Sequence, residues 1–306
     1  MTLKRVSAFI RRLFRAGEFW RVFFQENFAL ELVDILIGEY RKSERRLILL
    51  DYDGTLVPFA DKPSDAEPDE DLLELLGSLA RDDRNEVVIV SGRDRSFLEK
   101  WFGGKQLGLV AEHGAWVRVK GAGWRLTGPL EDGWKREVFP LLEECVKNTP
   151  GSFIEEKSFS LVWHYRKADP LVGRMRARSL KEKLTSLAAR LGLEVSEGNM
   201  VVEVKNLGVN KGRAVLYWTS KADWDFILAI GDDVTDEDMF AALPSQSYSV
   251  KVGVPPSQAK FFVRSVEDVR TILRGLAESS MRSHAHDNVH HKKRIFSWFL
   301  EGGATG

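Results

Sequence analysis

The chain has 306 residues, 43% of them hydrophobic and 29% charged, and its 45 Lys+Arg balance 45 Asp+Glu. That length suits two modest domains or one domain with a large insertion, and the balance gives no global signal for nucleic acid or an acidic polymer. The single cysteine, Cys145, excludes an internal disulfide framework and a four-cysteine zinc site.

Residues 3 to 40 predict a helix. Val6, Phe9, Ile10, Leu13 and Phe14 fall at helical spacing, with Arg5, Arg11, Arg12 and Arg15 between them. A basic amphipathic helix suits a membrane surface, but Glu18, Glu26, Glu31 and Asp34 soon break the pattern, which favours an arm (residues 1–43) packed on its own domain or on a partner. The arginines also interrupt the apolar run that a secretory leader needs, and no run is long enough to span a bilayer, so the expected location is cytoplasmic.

From residue 46 short apolar runs alternate with helical patterns. Leu47-Ile48-Leu49-Leu50 ends at Asp51, Val87-Val88-Ile89-Val90 ends at Ser91, and Leu109-Val110-Ala111 leads into Glu112-His113-Gly114. Runs of this kind suit parallel strands buried on both faces, and their alternation with helices predicts an α/β fold, a doubly wound, Rossmann-like parallel sheet. Between residues 119 and 206 the texture changes to helix, two strands, helix, two strands, which predicts an α+β unit inserted into a core of 44–118 and 207–280. The core pattern resumes at Asn210-Lys211-Gly212 and the strand 226–230. A polar tail, 281–306, follows, and its His284, His286, His290 and His291 leave metal binding and a solvated, disordered end both open.

Asp51 and Asp53 stand two residues apart at the carboxyl end of a strand, where open α/β sheets bind ligands, and Gly54 permits the tight turn beyond. A carboxylate is a competent nucleophile towards phosphorus, but it repels a phosphate dianion unless a cation intervenes. Gly231-Asp232-Asp233-Val234-Thr235-Asp236-Glu237-Asp238, again after an apolar strand, offers oxygen ligands without nearby Cys or His, a set that suits Mg²⁺ better than Zn²⁺. Such a run also serves as a helix cap, so alone it is only suggestive. Ser91 can donate its hydroxyl to a phosphoryl oxygen and Lys211 can neutralise its charge.

In this order, Asp51-Tyr52-Asp53-Gly54-Thr55, Ser91, Lys211 and Gly231 to Asp236 resemble the four motifs of the haloacid-dehalogenase-like hydrolase superfamily. The segments 111–115, 156–166, 202–204, 208–212 and 231–240 are similar to those of trehalose-6-phosphate phosphatases, and the likeness covers residues 46 to 278. The resemblance implies Asp51 as nucleophile, Asp53 as general acid then base, and Ser91 and Lys211 as phosphoryl-positioning residues. It further implies Mg²⁺ held by Asp51, Asp53 (through its carbonyl) and Asp232, with Asp233 or Asp236 nearby, and an inserted unit acting as a cap. The implied substrate-binding residues are Arg93, Glu112, His113, Lys157, His164, Arg166 and Glu203. Of these, Lys157 and Glu203 sit on cap strands with opposite charge, which is also the pattern of a cross-strand ion pair.

The expected reaction is hydrolysis of trehalose 6-phosphate, with a trehalose-phosphate synthase (a glycosyltransferase) as the natural partner. A phosphatase for sucrose phosphate or a glycosyl phosphoglycerate, and a non-catalytic regulatory subunit of a trehalose-synthesis complex, stay open; Asp51, Asp53, Ser91, Lys211 and Asp232 argue against the last.

Overall fold

The computed structural model describes residues 28–60 and 62–280. Helix α1 (Phe28–Arg41) is the part of the predicted N-terminal arm that falls within them; the rest of the arm and the tail 281–306 with its four histidines lie outside. Among the described residues no helix is long and apolar enough to cross a membrane.

Strand β1 (Arg46–Leu50) is buried at every position, as a central parallel strand must be. It pairs in parallel with β2 (Asn85–Val90) on one side and β10 (Phe226–Gly231) on the other. Beyond β2 lie β3 (Gly108–Ala111), β4 (Trp116–Arg118) and β5 (Arg125–Leu126); beyond β10 lie β11 (Tyr248–Val252) and β12 (Phe261–Val263). The eight-stranded order is therefore β12-β11-β10-β1-β2-β3-β4-β5.

The period-two alternation of side chains sorts the strand residues into two cores. Ile48, Leu50, Val87, Ile89, Leu228 and Ile230 pack against α1, α2 (Glu70–Ala80), α3 (Arg95–Phe102) and the terminal helix α8 (residues 266–280). Leu47, Leu49, Val88, Val90 and Ala229 pack on the other face against α6 (Lys211–Thr219) and α7 (Thr235–Ala241). The helices start where the sequence provides caps: Asp69 accepts from the Leu72 amide, Asp94 from Phe97 and Asn210 from Arg213.

The inserted unit holds α4 (Lys135–Lys147), β6 (Phe153–Glu156), β7 (Ser160–His164), α5 (Pro170–Leu191), β8 (Leu193–Gly198) and β9 (Val201–Asn206). Its four strands form a separate antiparallel sheet, β6-β7-β9-β8. Leu161, Trp163, Tyr165, Val202 and Val204 face α4 and α5 in a third core, with Trp163 and Tyr165 stacked at 4.8 Å. The opposite face of this cap sheet looks back towards the large sheet.

One boundary differs from the expectation. The large sheet does not end before residue 119, because β5 pairs with β4 through Trp116↔Leu126 and Val117↔Arg125, so the chain leaves for the cap only after Leu126. This strand is two exposed residues long and carries no apolar run to announce it.

Candidate active site

The parallel strands converge their carboxyl ends on one mouth. Asp51 follows β1 directly, its amide bonded to the Ile230 carbonyl at 3.0 Å, and its side chain is buried. The next residues fold into a tight turn in which the Thr55, Leu56 and Val57 amides all reach the Tyr52 carbonyl. Gly54 sits there at φ 83°, and a Cβ on it would come within 2.3 Å of Asp232 Oδ2. Glycine is required twice, for the left-handed backbone and for the close approach of the acidic loop.

Lys211, the first residue of α6, delivers its buried ammonium to Asp51 Oδ1 at 2.5 Å and Asp236 Oδ1 at 2.8 Å. The other oxygen of Asp236 accepts the Asp232 and Asp233 amides, each at 2.9 Å. Asp236 thus spends both oxygens on holding Lys211 and the acidic loop. Thr55 donates its hydroxyl to Asp232 Oδ1 at 3.1 Å. Asp51, Asp232 and Asp236 each bring an oxygen within 4.8 Å of the others. Asp53 and Asp233, the other expected metal residues, are not part of this group.

Three carboxylates against one ammonium leave excess negative charge in a buried place. Burial, then the charge of Asp236, pushes Asp51 up to about 6, with Lys211 opposing the shift. Burial, then Asp51 and Asp236, pushes Asp232 up to about 9. Burial draws Lys211 down, but Asp236 and Asp51 outweigh it and hold the ammonium charged. One ammonium does not offset three carboxylates, and the free donors are hard carboxylate oxygens, which fits a hard divalent cation.

Asp53 lines the cavity but is gripped by Arg93, whose Nε reaches Oδ2 at 2.7 Å and whose Nη2 reaches Oδ1 at 2.5 Å. Ser91, just past the end of β2, is fully buried, with its hydroxyl oxygen accepting the Arg93 amide at 3.1 Å. Glu112 and His113 follow β3 with φ of 50° and 55°, an uncommon conformation for side chains with a Cβ. The Glu112 carboxylate is buried and does not line the cavity; its Oε2 accepts the Phe159 amide at 3.0 Å. Glu112, expected among the substrate-binding residues, thus has its side chain directed under the cap turn.

The inner face of the cap sheet presents two cross-strand rows to the cavity. Phe153, His164 and Val201 form one, and Glu155, Val162 and Glu203 the other. Lys157 continues the parity of β6 beyond its end and donates to the Gly92 carbonyl at 2.9 Å, so it reaches across to the core and makes no ion pair with Glu203. Glu203 instead faces His113, Oε2 to Nε2, at 3.3 Å. Burial opposes ionisation of Glu203, but the nearby His113, Lys157 and Lys205 outweigh it and hold the carboxyl at about 2. Burial holds the His113 ring down at about 3. His113 Nδ1 and Glu203 Oε1 are buried with no hydrogen-bond partner, a costly state that a polar ligand would relieve. His164 bonds Glu155 at 2.8 Å and stacks on Phe153, while Arg166 donates to the Ala60 carbonyl at 3.2 Å and lies over Phe59.

Glu155, Phe59 and Asn199 also line the cavity and were not among the sequence candidates. Glu155 was findable, since it shares strand parity with Lys157; Phe59 and Asn199 sit on loops, where no periodicity reports orientation.

A model of the trehalose-phosphatase family matches residues 49–267. The bifunctional trehalose-6-phosphate synthase/phosphatase of Thermoproteus tenax is 42% identical over 244 residues, which are 80% of this chain and 33% of that protein. The trehalose-phosphatase of Saccharomyces cerevisiae is 42% identical over 232 residues, 68% of this chain and 26% of that protein. The chain thus spans about a third or less of the curated relatives it matches here. The solved C-terminal domain of C. albicans trehalose-6-phosphate phosphatase superposes with a TM-score of 0.76 at 34% identity, covering 80% of this chain and 96% of that one. With the carboxylate–lysine centre beneath a polar cap sheet, these matches establish that the chain belongs to the trehalose-phosphatase family.

Proposed function

We propose that this chain is a Mg²⁺-dependent phosphatase that hydrolyses trehalose 6-phosphate to trehalose and phosphate, with Asp51 as nucleophile. The observation that carries the reading is the buried Asp51 carboxylate at a strand end, one oxygen on Lys211, facing a cavity roofed by charged cap residues. Asp51 attacks phosphorus, the bond to the sugar oxygen breaks, and an aspartyl phosphate forms. Asp53 gives its proton to the departing sugar oxygen, then takes one from the water that attacks the aspartyl phosphate, which restores Asp51 and releases phosphate. Both Asp53 oxygens are engaged by Arg93, so the acid role requires the carboxylate to turn away from that guanidinium and take up a proton from solvent before the sugar oxygen departs. Lys211 neutralises phosphoryl charge, while Asp236 keeps its ammonium in place. Asp51 and Asp232 are the carboxylates that would hold Mg²⁺, whose contribution is to cancel the repulsion between nucleophile and phosphate.

Lys157, Glu155 and Glu203 from the cap, with His113 from the core, are the groups suited to sugar hydroxyls. The name of the Thermoproteus tenax relative joins a synthase to a phosphatase, which supports a synthase as the partner that supplies substrate here. Co-purification tests that association.

The substrate assignment is tested by phosphate release with Mg²⁺ from trehalose 6-phosphate, sucrose 6-phosphate, glucose 6-phosphate and a glycosyl phosphoglycerate. Strong preference for trehalose 6-phosphate is expected. Equal turnover of glucose 6-phosphate would remove the role given to the cap.

A further inference from the structure

The turn between β6 and β7 meets the core at three points. Lys157 Nζ donates to the Gly92 carbonyl at 2.9 Å, the Phe159 amide donates to Glu112 Oε2 at 3.0 Å, and the Phe159 ring lies 5.9 Å from that of Trp116, over which Arg95 is stacked at 3.6 Å. Glu112 is 3% exposed, its second oxygen has no partner, and its backbone is left-handed. A buried carboxylate in a strained conformation is retained only where the surrounding contacts over-determine it. Here its Oε2 accepts a hydrogen bond from the cap, from a backbone amide two residues after Lys157.

Glu112 also belongs to a segment that touches the reaction centre from below. A Cβ on Gly114 would meet the Asn210 carbonyl at 2.6 Å, and Asn210 caps the helix that begins with Lys211. Between them His113 fills the space over Gly92, where a Cβ would come within 2.4 Å of its Nε2, and faces Glu203. One strained segment thus contacts the cap turn, the cap sheet and the start of α6.

We propose that Glu112 is a positioning residue: its carboxylate pins the Phe159 amide, fixes the 157–159 turn against the core and thereby holds the Lys157 ammonium in the sugar-facing part of the cavity. The proposal rests on the function assigned above for its kinetic consequence, but the pinned amide itself does not. Glu112 makes no contact with the reacting atoms. Its loss weakens substrate binding through Lys157 and leaves the chemistry at Asp51 in place.

The test compares Glu112→Ala and Glu112→Gln with wild type by hydrogen exchange at the Phe159 amide and by KM and kcat for trehalose 6-phosphate. Losing one charged hydrogen bond predicts exchange about tenfold faster and KM about tenfold higher in Glu112→Ala, with kcat within about twofold. Glu112→Gln keeps an acceptor oxygen and is expected to restore most of both. Wild-type exchange at Phe159 in Glu112→Ala, or a fall in kcat without a rise in KM, overturns the proposal. If wild type does not hydrolyse trehalose 6-phosphate, the functional reading fails, and the exchange comparison alone decides the pinning of the turn.

Discussion

At the scale of single residues, Asp236 and His113 carry consequences that their positions in sequence do not disclose. An aspartate in an acidic run invites a metal-ligand reading, yet Asp236 is fully buried and divides its oxygens between Lys211 and two backbone amides. Removing it strands a buried ammonium and two amides. Asp236→Ala is therefore expected to cost about 3–5 kcal/mol of folding stability, measured by urea unfolding; a loss below about 1 kcal/mol would contradict the buried network. His113 gives a pH prediction. Its folded pKa is depressed to about 3 from the usual 6.5 by burial, so unfolding takes up a proton below pH 6.5, and its stability is lost as pH falls from 6.5 towards 3. Glu203, held at about 2 against an ordinary 4.5, loses its contribution only below pH 4.5. Between pH 6.5 and 4.5 Glu203 stays ionised in both states, while Asp51, raised to about 6, adds a slope of opposite sign that wild type and a His113 variant share. His113→Gln should flatten the fall of Tm over that window, and parallel curves for the two proteins would contradict the buried neutral ring.

At the scale of elements, legibility followed burial only in part, since β11 is buried throughout and was not read from the sequence. Strands β1, β2, β3 and β10 are covered on both faces, so each is an apolar run that ends at a site residue, and each was visible. Cap helix α5 is bounded by local signals: Asp169-Pro170 opens it and Gly192, at φ 65°, closes it. Strand β12 is three residues long and β5 two, too short for any period to register. Site residues were legible where they follow such strands. The contact of Glu112 with the cap turn was not legible, because sequence does not report a left-handed backbone. The β1 turn yields a prediction at this scale: Gly54→Ala forces a methyl against Asp232 and displaces a carboxylate suited to the cation. Mg²⁺ affinity, read by calorimetry, should fall about ten- to a hundredfold, and unchanged affinity would separate Asp232 from the metal site.

At the scale of the whole molecule, two sheets with separate cores face one cavity, the large sheet supplying the carboxylates and Lys211 and the cap sheet the polar roof. Because the cap has its own core around Trp163, damage there should leave the large sheet standing. Trp163→Ala is expected to remove about 3–5 kcal/mol from the cap, with exchange protection lost in β6–β9 and kept in β1, β2 and β10; uniform loss across both sheets would mean that the cap core is not separate. The division also explains why the chemistry was easier to read than the sugar. The reacting groups come from strand ends and a capped helix start, whereas the roof depends on cross-strand register and on the 112–114 segment, which no local pattern announces. With Asp51 as nucleophile, phosphate passes through an aspartyl phosphate on that residue. Acid quenching of the enzyme during turnover of trehalose 6-phosphate with Mg²⁺, followed by peptide mass spectrometry, tests it most directly. The phosphoryl group is predicted on Asp51 and absent from Asp51→Asn, which should not turn over; phosphate on another residue, or turnover surviving in Asp51→Asn, would contradict it.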